Sequence, residues 1–127
     1  MSSAPYAADI ESIRQAEQRL AGKAHRTPLI QCQAINQRAG RPLWLKCENQ
    51  QKVGAFKFRG ATNAVALLDD EQAARGVITH SSGNHAQALA LAARNRGIAA
   101  HIVMPSNAPS VKRQAVEGYG AEVIACE

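Results

Sequence analysis

From residue 76 onward the chain alternates short apolar runs with longer alanine- and leucine-rich stretches, and this alternation constrains the fold more than any other feature. Gly76 to Thr79, Ala99 to Val103 and Glu122 to Ala125 read as strands, with helices at Asn84 to Arg96 and about Ser110 to Tyr119. Short apolar strands separated by crossover helices argue for an α/β fold with a parallel, twisted sheet and flanking helices. The 127 residues suffice for one small core.

Upstream, Ile10, Ile13, Ala16 and Leu20 recur at helical spacing and predict a helix from about Ala8 to Ala21. Arg26-Thr27-Pro28-Leu29 is extended, because proline disfavours helix at the residue before it. A short helix from Gln33 to Ala39 ends at Gly40, Leu43 to Cys47 reads as a strand, and Phe58 to Leu68 as a helix with Asp69 to Arg75 as its exit. Met104-Pro105-Ser106-Asn107-Ala108-Pro109 predicts a rigid loop after a strand, with Ser110 capping the next helix and Lys112 and Arg113 on that helix's exposed face.

Two segments carry chemistry. Thr79-His80-Ser81-Ser82-Gly83-Asn84-His85-Ala86-Gln87 takes the chain from a strand ending at His80, through a serine- and glycine-rich turn, into a helix. The first N–H groups of a helix are unsatisfied and carry partial positive charge, so such a turn suits an anion, here a carboxylate, and Ser81 and Ser82 add hydroxyl donors. Beyond the carboxyl end of a strand is where open α/β sheets bind ligands. The same serines and Asn84 serve equally well as ordinary helix caps.

Gly54-Ala55-Phe56-Lys57-Phe58-Arg59-Gly60-Ala61 sets one lysine between two aromatic residues in a glycine-flanked turn. Burial against Phe56 and Phe58, with Arg59 as a neighbouring cation, would favour the neutral, nucleophilic amine and make Lys57 a candidate for Schiff-base chemistry.

Over Glu48, Ala55, Phe56, Lys57, Arg59, Gly60 and Ala61, followed by the Ser81 turn in the same order, the chain resembles the pyridoxal-phosphate (PLP) enzymes of the tryptophan-synthase-β fold type, fold type II. Within them it is similar to the serine/threonine dehydratases and serine racemases. Many relatives carry serine where this chain has Ala55. The resemblance implies a three-layer fold in which residues 1–50 belong to the large PLP domain and residues 51–127 form most of the small α/β domain. It implies that the C-terminal half of the family fold is absent, with the glycine-rich loop for the cofactor phosphate and, in racemase-like members, a divalent metal site. The chain alone is then expected to be inactive.

By the same resemblance Lys57 would hold PLP and act as the base on the substrate Cα, Phe56 would pack on the cofactor ring, and Asn84 would bond the ring oxygen. Ser81, Ser82, Gly83, Asn84 and His85 would grip the substrate carboxylate, and Ser82 stands where racemases place the hydroxyl serving the opposite face. The expected reaction is elimination of water and ammonia from threonine or serine, giving a 2-oxo acid. Serine or hydroxyaspartate racemase/dehydratase activity is one alternative. A catalytically inactive fragment, or a small anion-binding α/β module, is another. Serine racemases of mammalian type bind ATP at a subunit contact through serines after the Thr-Pro segment and a Lys-Thr pair. Here Gln31-Cys32-Gln33 and Lys52-Val53 stand instead, leaving Lys52, Gln87 and Tyr119 as candidate effector contacts. A homo-oligomer, dimer or tetramer, is implied for the longer chain.

The net charge of +5 comes from scattered basic residues with few aromatics, which argues against nucleic acid. Cys32, Cys47 and Cys126 lack metal-ligand spacing, and no run is apolar and long enough to span a membrane. A cytoplasmic protein with reduced thiols is the resulting expectation.

Overall fold

The computed structural model describes residues 8–127. Helix α1 (Ile10–Leu20) starts later than the periodicity predicts, because Asp9 closes a capping box with Ser12 and so marks the first turn. Strands β1 (Leu29–Ile30) and β2 (Leu45–Lys46) pair antiparallel as a small ribbon around α2 (Gln33–Ala39), with Ile30 opposite Leu45. The strand expected over Leu43 to Cys47 shrinks to two residues. Leu43 gives its N–H to the Asn36 side chain and so leaves the ladder, whereas Cys47 still donates to the carbonyl of Pro28 opposite it, and the ladder stops there because proline has no N–H to return the bond.

Two 3₁₀ turns, Glu48–Gln50 and Lys52–Gly54, lead into α3 (Lys57–Leu67). The stretch expected to be a helix exit contains a helix of its own, α4 (Asp70–Ala74), opened by a capping box between Asp69 and Gln72. Then β3 (Val77–His80), α5 (Asn84–Arg96), β4 (Ala100–Pro105), α6 (Ser110–Gly118) and β5 (Glu122–Cys126) alternate as expected. The three strands form one parallel sheet in the order β3-β4-β5, with Ile78 opposite His101 and Val103 opposite Ile124.

The predicted proline loop begins two residues late. Met104 and Pro105 continue β4, paired with Ala125 and Cys126, and proline is tolerated there because β3 has already ended, leaving nothing for its missing N–H to bond. Pro109 takes the cap position of α6 and forms no side-chain bond, so Ser110 is the first helical residue and not the cap. Lys112 is exposed and Arg113 half-buried.

Because strand side chains alternate, Ala100, Ile102 and Met104 all face one side of β4, and all three are buried against the alanines of α5. Ala86, Ala88 and Ala93 are fully buried, and their small side chains let α5 lie close to α3, α6 and the sheet at once. Phe58 of α3 and Val116 of α6 complete this core. The other face of the sheet carries Ile78 and Ile124, 67% and 40% exposed.

Candidate active site

Two helix starts define the site, and the packing of α3 on α5 brings them to the same end of the fold. At the far end Arg96, the last residue of α5, donates to the carbonyls of Val65 and Leu68 where α3 finishes. Toward the other end His85 comes nearest the start of α3, in a cavity of about 240 Å³ that runs along α3 from Gly60 to Leu68 beside Val77 to Thr79 of β3. The helices therefore run in the same direction, and Lys57 opens one while the Ser81 turn opens the other.

In that turn Ser81 donates its N–H to Val103 at 3.1 Å, which ties the turn to the end of β4. Its Oγ accepts the N–H groups of Gly83 and Ala86, each at 3.3 Å. Ser81 thus holds the turn from inside. Gly83 caps α5 with no side-chain bond, and among the described residues the N–H groups of Ser82, Asn84 and His85 find no acceptor. The Ser82 hydroxyl and the Asn84 amide are exposed and carry no hydrogen bond, while Gly83 and His85 are half-buried. What results is a cluster of free donors at a helix N-terminus, suited to a carboxylate.

Lys57 is the first residue of α3. Its environment differs from the desolvated one expected. The side chain is exposed, with Nζ 5.3 Å from the centroid of a Phe56 ring that is itself 60% exposed. Phe58 points the opposite way into the core, and Arg59 is engaged by Glu48 at 2.8 Å instead of standing as a free cation beside the lysine. The reason is helical phase: successive side chains diverge by about 100°, so neighbours in sequence face different surroundings. Val53 and Gly54, at φ of 57° and 67°, form a left-handed pair just before the lysine; for β-branched valine this conformation is strained.

The Glu48 carboxylate accepts two bonds from the Arg59 guanidinium and one from Thr27, and the arginine fork holds its pKa down to about 2. The pairing raises the pKa of Arg59 in turn. Sequence reading sets Glu48 in the attachment pattern and Arg59 beside Lys57 as a second cation; no local periodicity links the two or joins Thr27 to either. Lys52 lays its ammonium 5.5 Å from the Phe58 ring centroid, Gln87 is half-buried on α5, and Tyr119 follows α6 beside Arg94 and Ala90. Among the described residues no hydrogen bond joins these three, and no three His, Cys, Asp or Glu side chains cluster as metal ligands. No described helix is long and apolar enough to cross a membrane.

The sequence profile of the family described as "Pyridoxal-phosphate dependent enzyme" matches residues 20–127. The chain belongs to this family. It is 57% identical over 119 residues to a serine racemase of Arabidopsis thaliana, covering 94% of this chain and 36% of that one. It is 48% identical to a β-hydroxyaspartate dehydratase of Paracoccus denitrificans, covering 96% and 39% respectively. The structure of maize serine racemase superposes with a TM-score of 0.91 at 55% identity, over 96% of this chain and 37% of that chain. A threonine deaminase of Solanum lycopersicum stands further off, at 35% identity. The fold is therefore that of the tryptophan-synthase-β-like PLP enzymes, and the chain spans a little over a third of the length of the relatives it matches.

The residues present suit the cofactor. An exposed amine beside an exposed aromatic face, and unsatisfied donors at the start of a helix packed against its own, are the chemistry an aldehyde-bearing, anionic aromatic group requires.

Proposed function

We propose that this chain supplies the lysine and the substrate-carboxylate turn of a PLP-dependent enzyme acting on serine or a hydroxyaspartate, as a racemase, a dehydratase or both. The observation that supports this reading is that Lys57 and the Ser81 turn each open one of two helices, α3 and α5, that pack together and run in the same direction. Threonine/serine dehydratase, the first expectation from sequence, gives way to the racemase and hydroxyaspartate alternative because relatives at 48% to 57% identity bear those names.

In this proposal PLP supplies an electron sink for the charge that develops at the substrate Cα. The chain's own residues do the rest. Lys57 Nζ would hold the cofactor, and its amine would take the proton from Cα as a general base. Phe56, with its exposed ring, would pack on the cofactor ring, and the exposed Asn84 amide would donate to the ring oxygen. The N–H groups of Ser82, Asn84 and His85 hold the carboxylate, Ser81 shapes their turn, and the Ser82 hydroxyl delivers or removes a proton on the face opposite Lys57. Lys52, Gln87 and Tyr119 remain proposed effector contacts. The division at residue 50, a metal site contributed by chain beyond this one, a homo-oligomer and a cytoplasmic setting belong to the same proposal.

The test begins with PLP, borohydride reduction and peptide mapping of the full chain. A pyridoxyl group on Lys57 alone is expected; scattered labelling, or none, returns the chain to an inactive fragment or an anion-binding module. Turnover by the full-length protein of L-serine, 3-hydroxyaspartate and L-threonine then separates the substrates, with a preference for threonine restoring the first expectation.

A further inference from the structure

An exposed lysine at the start of a helix has many orientations open to it, and α3 has no capping side chain to limit them. Phe56 occupies the cap position and bonds the first turn only through its carbonyl, which accepts the Arg59 N–H at 3.1 Å. Two anchors hold that turn instead. Phe58, fully buried, pins one side to the core. On another side, Arg59 Nε and Nη2 donate to the two Glu48 carboxylate oxygens at 2.8 Å each, and Nη2 reaches the His25 carbonyl at 3.0 Å and the Thr27 hydroxyl at 3.4 Å. Thr27 closes the ring by donating to Glu48 at 2.5 Å. Buried Gln51 bonds both the N–H and the carbonyl of His25, so the segment before Thr27 is itself fixed. A single anchor lets a helical turn rock about it; two, on different sides, leave the third side with one orientation. Lys57 is on that third side.

We propose that Glu48, Arg59 and Thr27 form a positioning device that sets Lys57 for covalent capture of an aldehyde cofactor, an inference that rests on the PLP reading. Arg59 acts through geometry and not as a charge beside the amine. A planar fork satisfies the Glu48 oxygens, the His25 carbonyl and Thr27 together, which a lysine ammonium on a flexible stem does not.

The experiment follows borohydride-trapped PLP labelling of Lys57 against pH in the full chain, for the wild type, Arg59→Lys, Glu48→Gln and Thr27→Val. Arg75→Ala, which breaks an exposed pair with Glu71 elsewhere, is the control. Since a misplacement of about an ångström costs reactivity heavily, the Arg59 and Glu48 variants should lose plateau labelling on the order of tenfold. The midpoint of the pH profile should stay in place, Thr27→Val should fall between, and Arg75→Ala should match the wild type. Far-UV circular dichroism confirms that each variant is folded; if Arg59→Lys is not, Thr27→Val, which removes only a hydroxyl, decides the matter. A normal plateau in the variants, or a loss that comes with a shifted midpoint, overturns the positioning role. Absence of Lys57 labelling in the wild type overturns the cofactor reading and this inference together, whereas a labelled wild type with indifferent variants overturns the inference alone.

Discussion

Arg96 Nη2, on the last residue of α5, donates to the Leu68 carbonyl just past the end of α3 at 2.6 Å. With its second bond to Val65, this guanidinium satisfies carbonyls that the end of α3 would otherwise leave open, and it fixes the helices in the parallel arrangement that brings their N-termini together. Arg96→Met should destabilise the chain by about 1.5–3 kcal/mol, the usual range for hydrogen bonds to a charged group. Urea unfolding measures the loss, and Lys57 labelling by PLP should weaken with it.

Stability should fall in acid through Glu48. Its carboxyl titrates at about 2 in the folded chain against an ordinary value of 4.5, so the unfolded chain binds the proton more readily. The contribution is complete above about pH 4.5 and is lost as pH drops toward about 2. Glu48→Gln should be less stable than the wild type at neutral pH and show a shallower decline across that window, read from denaturation midpoints at a series of pH values. Equal slopes in the two proteins would remove Glu48 from the acid response.

Ser81 and Ser82 should separate cleanly. Ser81→Ala leaves the N–H groups of Gly83 and Ala86 without their acceptor, costing about 1–2 kcal/mol, and by loosening the carboxylate donors should raise KM. Ser82→Ala removes an exposed hydroxyl that bonds nothing among the described residues, so stability should stay within about 0.5 kcal/mol. In the full-length enzyme it should reduce racemisation while sparing elimination; an equal fall in both activities would make Ser82 a carboxylate contact only.

Gly76 leads into β3 at a φ of 73°, and a Cβ there would come within 2.8 Å of the Ala99 carbonyl oxygen. Gly76→Ala combines a disfavoured backbone with a clash against main chain, and should cost at least about 2 kcal/mol. Thermal unfolding provides the measurement, with Gly118→Ala, where an added Cβ meets open space, as the comparison.

Much of the backbone was legible in the chain. The helices Gln33–Ala39 and Asn84–Arg96 end where glycine follows, because Gly40 and Gly97 take the left-handed conformation that stops a helix. The order of strands and crossover helices, and with it the parallel sheet, follows from periodicities set by residues close in sequence. Helix α4 escaped although its signal, Asp69 followed by Gln72, was present; a five-residue helix has too few positions to show a period. The two segments that carry chemistry were also readable, since each is contiguous.

What surrounds those segments was decided only by tertiary structure. Sequence put Phe56, Phe58 and Arg59 around Lys57, but helical phase sends Phe58 into the core and Arg59 to Glu48, and leaves the lysine in the open. Likewise Ser81, adjacent to Ser82 and chemically identical to it, bonds inward while Ser82 faces out. Local sequence determines which dihedral angles a segment prefers and which face of it is apolar. The partner that each polar side chain meets depends on how separate elements pack, as Arg96 meeting Leu68 and Arg59 meeting Thr27 both show.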